Sequence, residues 1–381
     1  MCNFAAMIRK TTLLLVAVCL MFIAAHAQTQ MSKQQLASRL DALFGTVYNN
    51  PAEPGAAVLI MQGSDTVYSH CWGVADMQTK QPVTLSTNFC IASVSKQFSA
   101  VAVLQLAQQG LLSLNDPLSK YFPEFKAPFF KDITLHHILS HTSGIPDARP
   151  RDDRNFVLHA TDVASVGYMK TLDHLNFTPG TQYEYINPTF QLIYQLVQRV
   201  TRQGYEDYMQ QHIFNPAGMR SARFFEPQRH IDNMAHGYER VGQDGWREYD
   251  YGEESFFATK ADGGLYCSIN DFVRWEHALR DNMVWTASSK RLAYTPWITI
   301  PADAEYGYQP HAGYGYGFFI QDQPHRPAIV YHTGDNGGFT IYAGKIPERD
   351  VLVLFFSTRN DIDRMGMVNQ VYDLLFDNYL K

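Results

Sequence analysis

The chain has 381 residues, is 46% hydrophobic and 18% charged, and carries a formal net charge of −6. That length supports a large core and is enough for two lobes. An acidic balance argues against nucleic acid or an anionic membrane surface as partner.

Arg9 and Lys10 precede the apolar run LLLVAVCLMFIAA, which leads into Ala25-His26-Ala27. A short basic region, a run too short to span a bilayer and a small-x-small ending predict a secretory signal, residues 1–27, cleaved after Ala27. A retained membrane anchor is the alternative; a lipoprotein site at Cys19 is disfavoured by the preceding Val18. Cleavage removes two basic residues and no acid, taking the net charge from −6 to −8. The expected location is periplasmic or secreted, with no stable membrane span after cleavage. Cys71, Cys90 and Cys267 stay behind, an odd number without a CxxC pair. Buried free thiols are expected, with one bridge among the three left open.

Leu36, Leu40, Leu43 and Val47 share a helical face, so residues 32–48 are predicted to form an amphipathic helix. GAAVLIMQ and DTVYSHCWG follow as β-prone runs around Gly63-Ser64, a hairpin. Ser93 to Gln109 favours a helix, with Phe98, Val101, Leu104 and Leu106 as core residues and Gly110 as its stop. Residues 111–250 alternate short helical patterns with Pro- and Gly-rich loops. Ser268 to Asp271 has the spacing of a capping box, opening the helix DFVRWEHALRDN. YGYGFFIQ, PAIVYH, GFTIYAGKI and DVLVLFFST read as four strands, and NQVYDLLFDNYL as a closing helix. Strands at both ends and helices between predict an α/β (α+β) fold. Its largely antiparallel sheet, built from both termini, would be flanked by the first and last helices, with a mostly helical inserted lobe. The expected organisation is one catalytic domain over 28–381, with an α/β lobe of about 32–92 plus 290–381 and a helical lobe of about 93–289.

The stretch FCIASVSKQF contains Ser93-x-x-Lys96. Alone this spacing is weak, and a helix-start serine with a solvated lysine is its bland reading. The chemistry is nonetheless suited to nucleophilic attack. Residues i and i+3 of a helix face the same way, and an amine that has lost its proton can take one from the serine. The positive end of the helix dipole and partial burial both disfavour the ammonium form. First-turn N–H groups, that of Ser93 included, are available to a developing oxyanion. Ser95 has Phe98 at i+3 and lacks this arrangement.

Downstream lie Tyr185-Ile186-Asn187, after Pro-Gly-Thr, and His332-Thr333-Gly334. With these three elements in this order, the chain resembles the serine β-lactamase and penicillin-binding protein superfamily, in its class C β-lactamase-like branch. GLLSLNDPLSKYFPEF, ITLHHILSHTSGIPD, AHGYER, GGLYCSINDFVRW and YGYGFFI also resemble that branch, in its order, so the likeness covers nearly all of residues 32–381. A second Tyr-x-Asn at Tyr48 lies before Ser93, lacks the Pro-Gly-Thr lead-in and reads as a helix end.

The resemblance implies that Ser93 is the acylated nucleophile, Lys96 its activating amine and Tyr185 a proton shuttle. It implies substrate contacts from Asn187, His332, Thr333 and Gly334, and oxyanion donors in the backbone N–H groups of Ser93 and Asp335. The Asp335 carboxylate is expected to point away from that anion. Class C enzymes usually carry lysine where this chain has His332. A histidine is a poorer anchor for an anion, so binding of acidic substrates is expected to weaken as His332 loses its proton between pH 5 and 8. His137 and His141 have an i, i+4 spacing that can bind zinc, but no HExxH or HxHxD pattern accompanies them, so no metal and no other cofactor is expected. The expected function is an exported serine hydrolase with a covalent acyl-enzyme. Its substrate would be a small peptide, lactam or ester, foremost a D-amino-acid-containing cell-wall peptide. The alternative is a non-catalytic binding or assembly module that keeps the fold.

Overall fold

Ser32 opens the first helix, α1 (Lys33–Gly45), through a reciprocal capping box with Gln35. The computed structural model describes residues 30–150, 152–226, 229–242, 245–249, 259–301 and 312–380; the expected signal, residues 1–27, lies outside the described residues. After α1 the chain forms the hairpin β1 (Ala56–Gln62) and β2 (Asp65–Trp72), turning at Gly63 with φ +60°. Helices then dominate: α2 (Lys96–Gln108), α3 (Asn187–Thr201) and α4 (Ile269–Arg280) are the longest. The strands return as β3 (Ile298–Thr299), β4 (Ala312–Tyr314), β5 (Phe319–Gln321), β6 (Ile329–Asn336), β7 (Phe339–Ile346) and β8 (Val351–Ser357), followed by α5 (Arg364–Leu374).

These strands make one eight-stranded sheet in the order β3-β4-β5-β6-β7-β8-β1-β2, antiparallel at every step. The join between β8 and β1 brings the two ends of the chain together, with Leu59 opposite Leu354. Every residue of β8 is buried, as a central strand covered on both faces requires. Val58, Ile60, Val353 and Phe355 meet Leu36, Leu40 and Phe44 of α1 and Val368 and Val371 of α5. Leu59, Leu354, Phe356 and Ile341 face the helical side, with Phe89, Val94 and Phe98. The first and last helices cover one face of the sheet, as the sequence pattern predicts.

Two local expectations change. YGYGFFIQ is not one strand: Gly317 adopts φ +76° and divides it between β4 and β5. The glycine is needed there, because a Cβ would lie 2.9 Å from the Lys96 carbonyl oxygen. Ser268 does cap α4, accepting from Asp271 N at 3.2 Å. The Asp271 carboxylate, however, turns to Ser221 and to Ala222 N instead of closing the box. The three cysteines among the described residues are free; Cys90 and Cys267 are buried and Cys71 is partly exposed. No helix among the described residues is long and apolar enough to cross a membrane.

Candidate active site

A short strand, Phe89–Cys90, pairs with Leu265–Cys267 and delivers the chain to Ser93. Ile91 N donates to Leu265 O at 2.9 Å, and Ala92 then takes a left-handed φ of +46°. That conformation is costly for alanine and sets the turn immediately before the serine. Ala92–Ser95 is a 3-10 turn, and Lys96 is the first residue of α2. From Thr87 to Leu106 every residue is buried except Ser93. Ser95 is buried and its hydroxyl finds no partner among the described residues, so the side chain at the surface is Ser93.

Lys96 is fully buried, and its Nζ has three oxygen neighbours: Asn187 Oδ1 at 2.8 Å, Asp262 O at 3.0 Å and Ser93 Oγ at 3.1 Å. The first two can only accept hydrogen bonds; the third can also donate. A neutral amine has two hydrogens and one lone pair, which matches two carbonyl acceptors and one hydroxyl donor. Burial pulls the Lys96 pKa down to about 7; Asp262 opposes this and Arg149 adds to it. The uncharged amine is thus accessible near neutral pH, with its lone pair available to the Ser93 hydrogen.

Tyr185 and Asn187 reach the same point from the start of α3. The Lys96 ammonium position lies 4.9 Å from the Tyr185 ring centroid. Pro188 sits in the first turn of α3, where its missing N–H costs nothing, and Asn187 precedes it. Because Asn187 Oδ1 accepts from Lys96, the amide NH2 is the end left to face a substrate carbonyl. His141 backs this arrangement: its ring lies 4.3 Å from that of Tyr185 and its Nδ1 accepts from Ile186 N at 3.3 Å. His137 instead turns to its own helix start, accepting from Thr134 N at 3.1 Å. The two histidines serve different neighbours, and no metal-binding cluster occurs among the described residues.

The third element is β6. On β6, β5 pairs only with Ile329–Tyr331, so among the described residues no strand lies against the β5-side edge of residues 332–336. Gly334 packs on the turn before Ser93: a Cβ there would lie 2.4 Å from Ile91 O and 3.2 Å from the Ala92 methyl. Thr333 and Gly334 are buried, whereas the Asp335 side chain is exposed.

His332 departs from the sequence expectation. It is 1% exposed, and burial, with the nearby Lys96 charge, pushes its pKa down to about 3. Its Nδ1 lies 2.6 Å from Thr333 O, which only accepts, so the proton sits on Nδ1. Nε2 is then the acceptor for the Tyr314 hydroxyl at 3.0 Å. A buried, doubly bonded neutral imidazole cannot be the titrating anchor expected from sequence. NMR titration should show no protonation of His332 between pH 5 and 8; a resolved midpoint in that range would contradict this placement.

Three charged residues at the site carry no sequence signal. Asp262 supplies the carbonyl oxygen that holds Lys96, on a segment fixed by buried Asp162, which accepts from Lys260 N at 2.7 Å and Ala261 N at 3.0 Å. Arg149 is buried and paired with Asp147 through Nε at 2.8 Å and Nη2 at 2.6 Å. Arg364, the first residue of α5, places Nη1 2.8 Å from both Asp335 carboxylate oxygens. The Asp335 carboxylate is thus turned to Arg364 at the start of α5. Asp262 and Arg364 lie far in sequence from Lys96 and Asp335, and no local pattern could reveal them; the Arg149–Asp147 pair is local, but its link to the site is the Arg149 charge acting on Lys96.

A buried amine beneath a serine, a tyrosine ring beside it and an open strand edge opposite define a serine-nucleophile hydrolase fold. The chain belongs to the beta-lactamase family, whose model matches residues 40–375. Penicillin-binding protein 4* of Bacillus subtilis is 28% identical over 345 residues, 87% of this chain and 74% of that protein. The octameric penicillin-binding protein homologue from Pyrococcus abyssi superposes with a TM-score of 0.77 at 24% identity, covering 92% of this chain and 78% of that one. D-amino acid amidase from Ochrobactrum anthropi SV3 gives 0.72 at 21% identity, covering 90% and 97%. At these identities the two structures establish the shared fold.

Proposed function

We propose that this protein is an exported serine hydrolase that cleaves amide or ester bonds through an acyl-enzyme on Ser93, with D-amino-acid-containing cell-wall peptides as its foremost substrates. The observation that carries this reading is the set of three oxygens around Lys96 Nζ, which suits a neutral amine accepting from Ser93. In acylation, Ser93 Oγ bonds to the substrate carbonyl carbon and its proton passes to Lys96. The carbonyl oxygen becomes an anion facing the backbone N–H groups of Ser93 and Asp335. Tyr185 relays a proton to the departing amine or alcohol as its bond to carbon breaks. Water then repeats the sequence on the ester and releases the acid. Asn187 donates to a substrate carbonyl, while Thr333 and Gly334 form the strand edge beside it. His332 contributes as a neutral part of the wall. The family membership and the likeness to a D-amino acid amidase support amide chemistry, and the basic-apolar start of the chain supports export.

A fluorophosphonate and a labelled penicillin, each incubated with folded protein, test the reading. Mass spectrometry should place an adduct on Ser93 with at least one of them, lost in Ser93→Ala. A folded protein that neither reagent modifies would favour the binding-module alternative.

A further inference from the structure

Asp335 sits where the open edge of β6 ends, one residue beyond the glycine that packs on the Ser93 turn. Its side chain is 63% exposed, yet both carboxylate oxygens lie 2.8 Å from Nη1 of Arg364, itself only 14% exposed. The same Nη1 donates to Gly334 O at 3.2 Å, fixing the guanidinium against β6. Arg364 Nε is buried and has no acceptor among the described residues, so the guanidinium is engaged through Nη1. The other cations nearby are committed too: Arg149 holds Asp147, and Lys96 lies beneath the serine.

We infer that Asp335 is a specificity residue: it occupies Arg364 and presents its own negative charge, so the cleft favours amides and esters with no carboxylate beside the scissile bond. This rests on the acyl-enzyme reading above and names the substrate class within it. A substrate laid along the uncovered edge runs past Ser93 toward Asp335. A carboxylate at that end meets a like charge and finds the arginine occupied. Two unit charges a few ångströms apart near a protein surface repel by ~1–4 kcal/mol, about fivefold discrimination at the low end and well over tenfold at the high end. A neutral carboxamide or ester at the same place meets no such penalty. An ammonium group there would be attracted.

The test uses two phenyl acetates differing at the 3-position of the leaving group, one carboxylate and one carboxamide. Each rate is corrected for spontaneous hydrolysis. The wild type should favour the carboxamide about tenfold or more in kcat/KM, and less so in high salt. Asp335→Asn keeps the backbone N–H and the side-chain shape; it should reduce that preference at least fivefold by speeding the carboxylate ester. The double variant Asp335→Asn with Arg364→Met should lose the gain, because the arginine freed of its carboxylate partner is what attracts the carboxylate. Equal wild-type rates, or an unchanged ratio in Asp335→Asn, would overturn the inference. The fluorophosphonate adduct on Ser93 is measured on every variant. An adduct without charge discrimination sinks this inference alone, whereas no adduct on folded wild type sinks the acyl-enzyme reading beneath it.

Discussion

Replacing Lys96 by methionine should lower the rate of Ser93 acylation by about a thousandfold and abolish its rise with pH near neutrality. General-base assistance contributes roughly 10²–10⁴-fold, and the amine 3.1 Å from Ser93 Oγ is the group placed to give it. In the wild type, acylation should increase with pH through about 7, the Lys96 pKa, because the neutral form is the acceptor. The same substitution carries a stability signature. Lys96 titrates at about 7 when folded and near 10.5 when exposed in the unfolded chain, so between those values the unfolded state binds more protons. The buried lysine therefore destabilises the fold fully below pH 7, less with each step upward, and not at all above 10.5. The shift corresponds to a few kcal/mol, at ~1.4 kcal/mol per pH unit. Methionine removes that penalty but leaves Asn187 Oδ1 and Asp262 O without their donor, a loss of roughly 1–3 kcal/mol each that does not vary with pH. The melting-temperature difference, variant minus wild type, should thus be most positive at pH 6 and shrink by pH 9. A difference that is flat in pH would mean Lys96 is charged throughout, and the neutral-amine mechanism would fall.

The parts of the fold legible in the sequence are those where periodicity acts alone. Leu36 and Leu40 at i, i+4 mark the buried stripe of α1, and VLVLFFS marks a strand covered on both faces. YGYGFFIQ looked equally strand-like, but Gly317 closes onto the Lys96 carbonyl, a tertiary contact that alternation cannot encode. At the site, spacing put Ser93 and Lys96 on one face and order tied them to Tyr185 and Asn187. Protonation was less legible, because it depends on burial. His332 has the residue type of a pH switch, yet the packing around it holds it neutral. Lys96 shows the converse, with burial pulling an ordinary lysine down to about 7, where the proposed base can be neutral. Arg364 and Asp262 were invisible because each reaches the site from a distant segment, through a guanidinium in one case and a backbone carbonyl in the other.

Gly334→Ala should cost at least a hundredfold in kcat/KM although no functional group is removed. The added methyl would lie 2.4 Å from Ile91 O, closer than real Cβ atoms approach, and 3.2 Å from the Ala92 methyl. Neither neighbour can yield easily. Ile91 N is bonded to Leu265 O, and Ala92 already holds a left-handed φ of +46°. β6 must therefore move away from the Ser93 turn, carrying the Asp335 N–H, the proposed oxyanion donor, with it. A displacement near 1 Å costs about 10²-fold when reacting groups depend on position. Overpacking of this kind also costs ~1–3 kcal/mol in stability, so a melting temperature lowered by several degrees should accompany the rate loss. Gly45→Ala is the control, since a Cβ there meets nothing within 4 Å; its rate should match wild type. Fluorophosphonate labelling separates the effects: Ser93 of Gly334→Ala should still react, only more slowly, because Lys96 and Asn187 are untouched. If Gly334→Ala kept full activity, the strand edge would not position the oxyanion, and that part of the mechanism would have to move elsewhere.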